Sequence, residues 1–406
     1  MPDFRPFRAI RPADGKAPMT AALPYDVYDR ESARTAVKGN DTSFLRIDRP
    51  ETFFPPDQDM YAPEVYERGA AEFAEDIRRG LYVKDDGTCY YIYSLTMDGR
   101  TQSGIAGCFN MKDYETGAVQ RHEKTRRDKE EDRVRHIEAL RAQTGPVFLA
   151  RRKDETLDGI TREVMSSEPL YDFTSEDGVT HRVWKIPGEH ERDIASAFGN
   201  MNRIYIADGH HRCASACRVG RAHENEKGFE ESGYVLGVVF PEDELRIMAY
   251  NRVVEIPEGI TPEDLIKKLG DIFPLRRAAS PVPDRKGVVC AYAGGSWYEA
   301  EIPKEFFTGD PVGDLDVSVL QMKVLSPVFG IEDPRTDDRI RFVGGIMGTG
   351  ELERLCGDNV HAAFSMYPTD IGELFSVADA GLLMPPKSTW FEPKLRSGIL
   401  IHPITD

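Results

Sequence analysis

The sequence predicts an α+β (mixed α/β) protein, in which helices and mixed sheets enclose a sizeable interior. Short aromatic and β-branched stretches alternate with amphipathic helical segments along the whole chain. Tight turns join several of these stretches, which favours a mixed sheet over a wholly parallel one. At about 100–200 residues per domain, the 406 residues, of which 40% are hydrophobic and 30% charged, suffice for two or three domains.

The first sixty residues are rich in proline and contain short extended segments. We expect extended pieces at residues 22–27 and 44–47, separated by polar turns. Residues 63–80 show apolar side chains at helical spacing and predict a helix. Residues 90–95 and 102–109 predict two strands of a hairpin that turns at Asp98-Gly99.

The middle third alternates helices and strands. A charged segment with an apolar stripe, His122–Gln143, predicts a surface helix that ends before Gly145-Pro146. The elements expected after it are strands at 147–150 and 182–186, a helix at 191–201, a strand at 203–207 and a helix that ends near Val219.

The last third is predicted to be α+β. Residues 234–240 and 245–254 indicate a second hairpin. Thr261 with Pro262 and two acids is a typical start of a helix. The remaining expectations are a strand pair at 288–300, a helix near 317–325 and an apolar segment at 383–391 that docks into the core.

Composition excludes several classes of function. The net charge of −17 opposes the phosphate backbone that a nucleic-acid-binding protein attracts, so we expect no nucleic-acid partner. No run of about 18 apolar residues and no apolar leader is present, so we expect no membrane association and a cytoplasmic protein. The six cysteines form no disulfide framework and are expected to be reduced thiols. The oligomeric state stays open, and a homodimer is compatible with the sequence.

The strongest candidate site is the Asp-Gly-His turn, residues 208–212 of sequence Asp-Gly-His-His-Arg. Gly209 permits a backbone conformation that a side chain forbids, and the following helix begins with amide groups that attract anions. His210, His211 and Arg212 add side-chain donors, and an arginine fork suits phosphate oxygens. The turn is therefore predicted to bind phosphate.

Asp208 adds a carboxylate to this turn. It could hold Mg²⁺ or orient a substrate hydroxyl, which would make it both a catalytic residue and a metal ligand. The structural alternative is that Asp208 caps the helix, while the two histidines form a polar surface cluster.

Glu123 is the second candidate, at the start of the charged segment. If the helix begins before it, Glu123 faces the same side as Val134, which is the apolar side. An inward carboxylate is the kind of group whose pKa rises enough to accept a proton from a hydroxyl nucleophile. The alternative is an acid that offsets the helix dipole and pairs with Arg127.

Two further segments are weaker candidates. Lys387 and Ser388, together with Thr389, offer an ammonium and two hydroxyls beside aromatic residues and are predicted to contact phosphate; a surface loop is the alternative. The glycine-rich segment 343–350 lacks the Lys-Ser/Thr ending of a P-loop, so a plain connection competes with a ligand-binding loop.

These motifs together resemble a known family. The shared segments look like those of a bacterial and archaeal family catalogued as a conserved domain of unknown function, number one thousand and fifteen; they are residues 23–27, 121–125, 132–133, 207–212 and 386–395. The similarity covers nearly the full chain.

A more distant likeness is to the ParB and sulfiredoxin-like fold, in which a Gly-x-His-Arg turn at a helix start binds nucleotide or other phosphates. Free serine kinases of that fold pair an Asp-Gly-His turn with an earlier glutamate, which acts as the base for the serine hydroxyl. This resemblance implies a ParB/sulfiredoxin-like catalytic region at 121–255, between an N-terminal α/β region at 1–120 and a C-terminal α+β region at 256–406 that packs back on the core.

The resemblance implies a small-molecule phosphotransferase. The expected acceptor is free serine, with a nucleotide or pyrophosphate as the phosphoryl donor and Mg²⁺ as the accompanying ion. Glu123 would be the base, and the Asp-Gly-His turn would hold the donor phosphates. The catalytic residues His210 and His211, with Arg212, would stabilise the charge that develops on these phosphates, and Asp208 would orient the acceptor or the metal. The alternative is a nucleotide-binding or phosphate-binding regulatory protein that uses the same turn without catalysis.

Overall fold

The computed structural model describes residues 1–357 and 360–405, which form two compact units. Unit 1 consists of residues 1–121 and 125–245 together with the described residues from Pro393 onward. Unit 2 consists of residues 122–124 and the described residues of 246–392. The three regions expected from the sequence stay a prediction. Their boundary at 120 lies beside the first boundary of unit 1, whereas their boundary at 255 lies inside unit 2.

Unit 1 is built, within the described residues, on a nine-stranded mixed sheet. From one edge to the other the strands are Val119–Gln120, Ile204–Asp208, Val147–Arg151, Tyr234–Pro241, Arg100–Asn110, Tyr91–Met97, Thr180–Lys185 and Tyr171–Thr174, and Phe4–Arg5 adds to Arg100–Asn110. The first two strands are parallel to each other, as are the third and fourth, and the other pairs are antiparallel.

Helices and short strand pairs surround this sheet. The α-helices of unit 1 are Ala17–Thr20, Arg30–Val37, Leu45–Asp48, Pro63–Arg78, Met111–Thr116, Arg127–Leu140, Glu155–Val164, Glu191–Asn200 and His210–Ala222. The small antiparallel pairs are Ile10–Pro12 with Tyr82–Lys84 and Ala142–Gln143 with His402–Pro403. The last of these pairs anchors the end of the chain in unit 1.

The helix His210–Ala222 is held in place by its packing in the core of unit 1. It contacts the strands Val147–Arg151 and Tyr234–Pro241 and the helix Arg127–Leu140. Its inward residues Cys213 and Val219 are at most 1% exposed, and each buried apolar side chain of the size of valine stabilises the fold by about 1.5–3 kcal/mol. The start of this helix is therefore a rigid position for a site.

Unit 2 contains a six-stranded antiparallel sheet. Its strands in spatial order are Leu275–Arg277, Ser296–Glu301, Val288–Ala293, His361–Met366, Tyr250–Glu255 and Ile340–Gly344. A separate pair joins Arg246–Met248 to Trp390–Glu392. The α-helices are Pro262–Ile272, Asp316–Leu320, Ser326–Phe329, Gly348–Leu355 and Ile371–Asp379, with a π-helical turn at Gln321–Leu325.

The structure confirms the predicted α+β class with mixed sheets and the β-turn-α step at residues 204–222. The hairpin across Asp98-Gly99 is present, with the strands Tyr91–Met97 and Arg100–Asn110 in register. The helix Pro63–Arg78 and the capping box at Thr261 are also present, the latter with Asp264 as the reciprocal partner. These elements have the strongest local signals, namely a two-residue turn, a long periodic segment and a cap.

Several element predictions are wrong. Residues 25–27 of the expected extended piece at 22–27 form the 3-10 helix Tyr25–Val27. Residues 44–47 are not extended, because the short helix Leu45–Asp48 occupies this place, and so brief a buried segment carries no usable periodicity. The second predicted hairpin does not form, because Tyr234–Pro241 is already paired on both edges inside unit 1. The chain from Arg246 onward therefore pairs within unit 2.

Two further observations concern membrane-spanning helices and the state of the cysteines. No helix among the described residues is long and apolar enough to span a membrane. All six cysteines are free thiols, and five of them are buried.

Candidate functional site

The Asp-Gly-His turn connects the strand Ile204–Asp208 to the helix His210–Ala222. The strand is buried through Ala207, and its register with Val147–Arg151 shifts between Ile206 and Asp208. Such a bulge bends the strand and redirects the side chain that follows. Asp208 is consequently 30% exposed, although it ends a buried strand.

Gly209 adopts a left-handed conformation with φ of 90° and occupies the N-cap position of the helix. A Cβ atom at this position would also approach the guanidinium group of Arg212 to 3.0 Å. Glycine is therefore required twice, for the backbone angle and for the space that Arg212 occupies.

The N-cap residue Gly209 has no side chain with which to cap this helix. The alternative in which Asp208 caps the helix stays open. The first intrahelical hydrogen bond is donated by Cys213 to the carbonyl of Gly209, so the amides of residues 210–212 precede the helical ladder. Amides in this position attract anions, and the positive end of the helix dipole adds to the attraction.

Asp208 lies between two cations of unit 1. Its Oδ2 atom accepts a hydrogen bond from Nη2 of Arg212 at 3.0 Å, and its Oδ1 atom lies 3.7 Å from Nζ of Lys394. The side chains of Arg212 and Lys394 are only 10% and 11% exposed. Two cations and one carboxylate therefore lie together at the turn.

Arg212 directs its donors toward the protein. Its Nη1 atom donates to the carbonyl of Pro146, Nη2 donates to Asp208, and Nε is buried without a partner. The guanidinium lies against Gly209, so it fixes the geometry of the turn. Its predicted part in phosphate binding stays a prediction.

The two histidines of the turn differ in environment. His210 is buried at 6% exposure. His211 accepts a hydrogen bond at Nε2 from the backbone N–H of Arg126 at 3.0 Å, which places its own proton on Nδ1 in this arrangement. Because Arg126 is the N-cap residue of the helix Arg127–Leu140, this bond ties the start of one helix to the start of another.

The helical placement of Glu123 is wrong. The helix begins at Arg127, and Arg126 is extended with φ of −98° and ψ of 132°. The argument that Glu123 and Val134 share a helix face therefore does not apply. Residues 122–124 group with unit 2, where the carbonyl of His122 accepts a hydrogen bond from the amide of Met384 at 2.7 Å. The catalytic role of Glu123 stays a prediction.

Lys387 and Ser388 belong to unit 2. The hydroxyl of Ser388 donates to the carbonyl of Pro385 at 2.7 Å, and Ser388 is 5% exposed. The ammonium of Lys387 lies 5.5 Å from the ring centre of Tyr250. Their contact with phosphate stays a prediction. The hydroxyl of Ser388 already donates a hydrogen bond within its own turn.

The glycine-rich segment 343–350 joins the strand Ile340–Gly344 to the helix Gly348–Leu355. A Cβ atom at Gly344 would meet the ring of Trp390 at 2.9 Å, and one at Gly345 would meet the backbone of Ala249 at 2.8 Å. Close packing accounts for these two glycines.

Sequence reasoning did not assign a role to a buried ionic network in unit 1. Asp132 accepts hydrogen bonds from Nε of Arg133 at 3.0 Å and from the hydroxyl of Tyr66 at 2.8 Å. Burial opposes the charge of both groups, but their ion pair dominates: the pKa of Asp132 is lowered and that of Arg133 is raised. The guanidinium of Arg133 also lies 4.0 Å from the ring centre of Tyr25. Residues 25, 132 and 133 were among the family segments, which is the signal that pointed to them.

This network extends to the back of the Asp-Gly-His turn. A cavity of about 30 Å³ is lined by Tyr25, Arg133, Arg212 and Ser397, among others. A space of this size holds one or two water molecules. His136 lies beside it, and burial together with the charge of Arg133 lowers the pKa of His136 to about 4.

Comparison with known proteins supports a family assignment. The model of the family described as protein of unknown function DUF1015 matches residues 4–318. No curated protein matches the chain. Similar solved structures include SbnI with a C-terminal truncation from Staphylococcus aureus, with 12% identity, 71% of this chain and 82% of that chain covered, and a TM-score of 0.40.

Two further solved structures are similarly distant. A mutant free serine kinase in complex with ADP shares 12% identity over 70% of this chain and 89% of that chain, with a TM-score of 0.35. A conserved hypothetical protein from Pyrococcus furiosus shares 12% identity over 68% of this chain and 90% of that chain, with a TM-score of 0.33. The family match is much firmer than these likenesses, because it spans well over half of the chain. The chain belongs to the DUF1015 family.

Proposed function

We propose that this protein transfers a phosphoryl group to the hydroxyl group of a small metabolite, with free serine as the acceptor and a nucleotide or pyrophosphate as the donor. The observation that carries this proposal is the helix start after Gly209, where amides 210–212 precede the helical ladder beside the cations Arg212 and Lys394. Amides and cations together are the usual means of holding phosphate groups.

The donor phosphates bind at the Asp-Gly-His turn in this proposal. The amides of residues 210–212 donate to the phosphate oxygens, and the fixed positive charges stabilise the charge that spreads over these oxygens during transfer. The turn is rigid, because Arg212 and the bond between His211 and Arg126 hold it from both sides. Positioning of this kind, rather than covalent chemistry, is the main contribution that a protein makes to phosphoryl transfer.

The acceptor hydroxyl is activated by Glu123. In this step the carboxylate takes the hydroxyl proton while the oxygen forms a bond to phosphorus and the bond from phosphorus to the leaving group breaks. The products are the phosphate ester and the shortened donor, and the proton passes from Glu123 to water. Glu123 stands three residues before Arg126, whose amide is bound by His211. The choice of serine rests on the sequence resemblance.

Magnesium held by Asp208 does not fit the geometry. Mg²⁺ requires oxygen ligands at about 2.0–2.1 Å, whereas both oxygens of Asp208 face cations, Arg212 and Lys394. The part of the chain that the structure describes holds no group of three or more acidic, histidine or cysteine side chains arranged for a metal. We therefore assign no step to a metal on Asp208.

Direct detection of the product tests this function. The wild-type protein is incubated with serine and ATP, ADP or pyrophosphate in turn, and O-phosphoserine is quantified by mass spectrometry. We expect one donor to support turnover, and we expect Glu123→Gln to lower the rate by about 100-fold or more, as for loss of a general base. Glu67→Gln, which changes an exposed glutamate on the helix Pro63–Arg78, is the matched control and keeps full activity.

The same experiment separates the enzyme from its regulatory alternative. A ligand that raises the melting temperature of the protein, without phosphoserine from any donor, would favour a phosphate-binding regulator, because a bound ligand stabilises the fold whether or not it reacts. Full activity of Glu123→Gln would contradict the assignment of the base.

A further inference from the structure

His223 connects three elements of unit 1 at the C-terminal end of the helix His210–Ala222. It is the C-cap residue of this helix. Its Nε2 atom lies 2.9 Å from Oε1 of Glu138 on the helix Arg127–Leu140. Its Nδ1 atom forms a hydrogen bond with Oε2 of Glu226, which belongs to the segment that follows the helix. One imidazole ring therefore joins two helices and a loop.

Both ring nitrogens of His223 face carboxylate oxygens. An ionised carboxylate only accepts hydrogen bonds, so both nitrogens must carry a proton, and only the charged imidazole has two N–H groups. Burial opposes the charge of His223, but hydrogen bonds with Glu226 and Glu138 raise its pKa. The contacts of this ring are therefore those of an imidazolium.

The remaining neighbours of His223 leave its charge to these two carboxylates. The ring of Phe229 stacks on the imidazole, with 4.1 Å between the ring centres and 6° between the planes. Glu224, the next residue in the chain, pairs with Arg221 and lies 3.3 Å from Nζ of Lys112. Its charge is thus balanced by other cations.

The two carboxylates differ in how they depend on His223. Glu138 also accepts a hydrogen bond at Oε2 from Nη1 of Arg141 at 3.2 Å, and Arg141 lies 4.8 Å from the ring centre of Phe229. The side chain of Glu226 is 52% exposed, so water can solvate it. A neutral imidazole has one N–H group, and we expect it to keep the bond to Glu138 and to lose the bond to Glu226.

We propose that His223 is a proton-operated latch for the segment 224–229. The charged imidazole holds Glu226, and with it this segment, at the ends of the two helices. When the imidazole releases its proton to water, the bond to Glu226 breaks and the segment is freed. His223, Glu226 and Tyr234 are among the residues that line a cleft of about 350 Å³, so the latch fixes one wall of this cleft. Its action does not require phosphoryl transfer.

The pH dependence follows from the sign of the shift. An unperturbed imidazole has a pKa of about 6.5, and the folded protein raises the pKa of His223 above it. The latch is therefore fully closed below pH 6.5 and opens as the pH rises through the raised value.

Magnetic resonance and amide exchange test the latch. A titration of the imidazole signals gives the pKa of His223. Amide exchange is then measured about two pH units on either side of that value, where one form of the imidazole dominates. The amides of Glu226 and Phe229 donate to the carbonyls of His223 and Glu226 at 2.9 and 3.1 Å. We expect their protection, relative to the unfolded chain at the same pH, to be about tenfold or more lower on the alkaline side.

Two variants separate a proton switch from a merely structural contact. His223→Gln is neutral at every pH, so the protection of segment 224–229 no longer depends on pH. Glu226→Gln offers an amide group that donates to a neutral Nδ1 and a carbonyl that accepts from a charged one, so it keeps high protection on both sides. His190→Gln is the matched control: Nε2 of His190 lies 3.9 Å from one carboxylate, that of Glu163, and its loss leaves the pH dependence of the segment unchanged.

The outcomes decide for or against the latch. A loss of protection in the wild-type protein that disappears in both variants supports it. A pKa of His223 below about 6.5, equal protection of the wild-type segment on both sides of the pKa, or a loss that persists in either variant overturns it.

Discussion

Gly209 meets two structural requirements of the site. Its positive φ begins the helix, and its missing side chain leaves room for the guanidinium of Arg212. Gly209→Ala should therefore cost about 1–2 kcal/mol for the backbone angle alone, with a further loss as Arg212 is displaced. We expect it to abolish pyrophosphate binding in a titration.

Gly178→Ala is the matched control for this prediction. Gly178 has a φ of 79° in the same unit, but no atom lies within 4 Å of a Cβ placed there. Its substitution should lower the melting temperature through backbone strain and leave pyrophosphate binding intact. Equal loss of pyrophosphate binding in both variants would contradict the claim that binding requires the close approach of Arg212 to Gly209.

His211 contributes to the turn through its acceptor atom Nε2. His211→Ala removes the partner of the Arg126 amide, so we expect that amide to exchange with deuterium about tenfold faster, as for the loss of about 1.4 kcal/mol. His211→Gln carries an acceptor oxygen on a similar side chain and should restore slow exchange. Unchanged exchange of Arg126 in the alanine variant would show that the bond contributes nothing.

At the scale of elements, the helix Arg127–Leu140 is fixed by buried charge. Tyr66→Phe removes a hydrogen bond to the carboxylate of Asp132, and we expect a loss of about 1.5–3 kcal/mol in the free energy of unfolding. Tyr90→Phe is the comparison, because the hydroxyl of Tyr90 donates to the neutral carbonyl of Phe4 at 2.6 Å and should cost only about 0.5–1.5 kcal/mol. Chemical denaturation measures the loss of unfolding free energy in both variants. A larger loss in Tyr90→Phe would contradict the expectation that the hydrogen bond to the charged carboxylate is the stronger one.

The sequence predicts elements well where the signal is local. The β-turn-α step around Gly209 and the hairpin at Asp98-Gly99 follow from glycine and from periodicity within a few residues. The start of the helix at Arg127 could not be predicted, because its N-cap residue Arg126 is bound by His211, which lies 85 positions after Arg126 in the chain. Long-range hydrogen bonds of this kind produce no periodic pattern in the sequence.

The same limit applies to the residues of the site. Gly209 and Arg212 were predictable from the motif, but the inward direction of Arg212 depends on the carbonyl of Pro146. The approach of Lys394 to Asp208 depends on the return of the chain to unit 1. Both are consequences of topology, which one sequence does not specify.

At the scale of the whole molecule, unit 1 should be sensitive to mild acid. Burial lowers the pKa of His136 to about 4, that of His181 to about 3 and that of His402 to about 4. The folded state thus favours the neutral imidazoles, whereas the unfolded chain takes up protons near the ordinary value of about 6.5. Their contribution to stability is present above pH 6.5 and is lost as the pH falls from about 6.5 toward 4, by about 1.4 kcal/mol per pH unit for each histidine.

Thermal melting between pH 5 and pH 7 checks this prediction. His136→Gln should reduce the acid sensitivity of the melting temperature. His223→Gln is the control: burial opposes the charge of His223, but hydrogen bonds with Glu226 and Glu138 raise its pKa, so its loss should not reduce that sensitivity. A melting temperature independent of pH in this range would contradict the assignment of neutral buried histidines.

The most direct test of the account is a crystal structure of the protein with ADP and serine. We predict phosphate oxygens at about 2.7–3.2 Å from the amide nitrogens of residues 210–212, and the carboxylate of Glu123 beside the serine hydroxyl. Phosphates bound away from the start of the helix His210–Ala222 would contradict the central claim that the Asp-Gly-His turn is the phosphate-binding site.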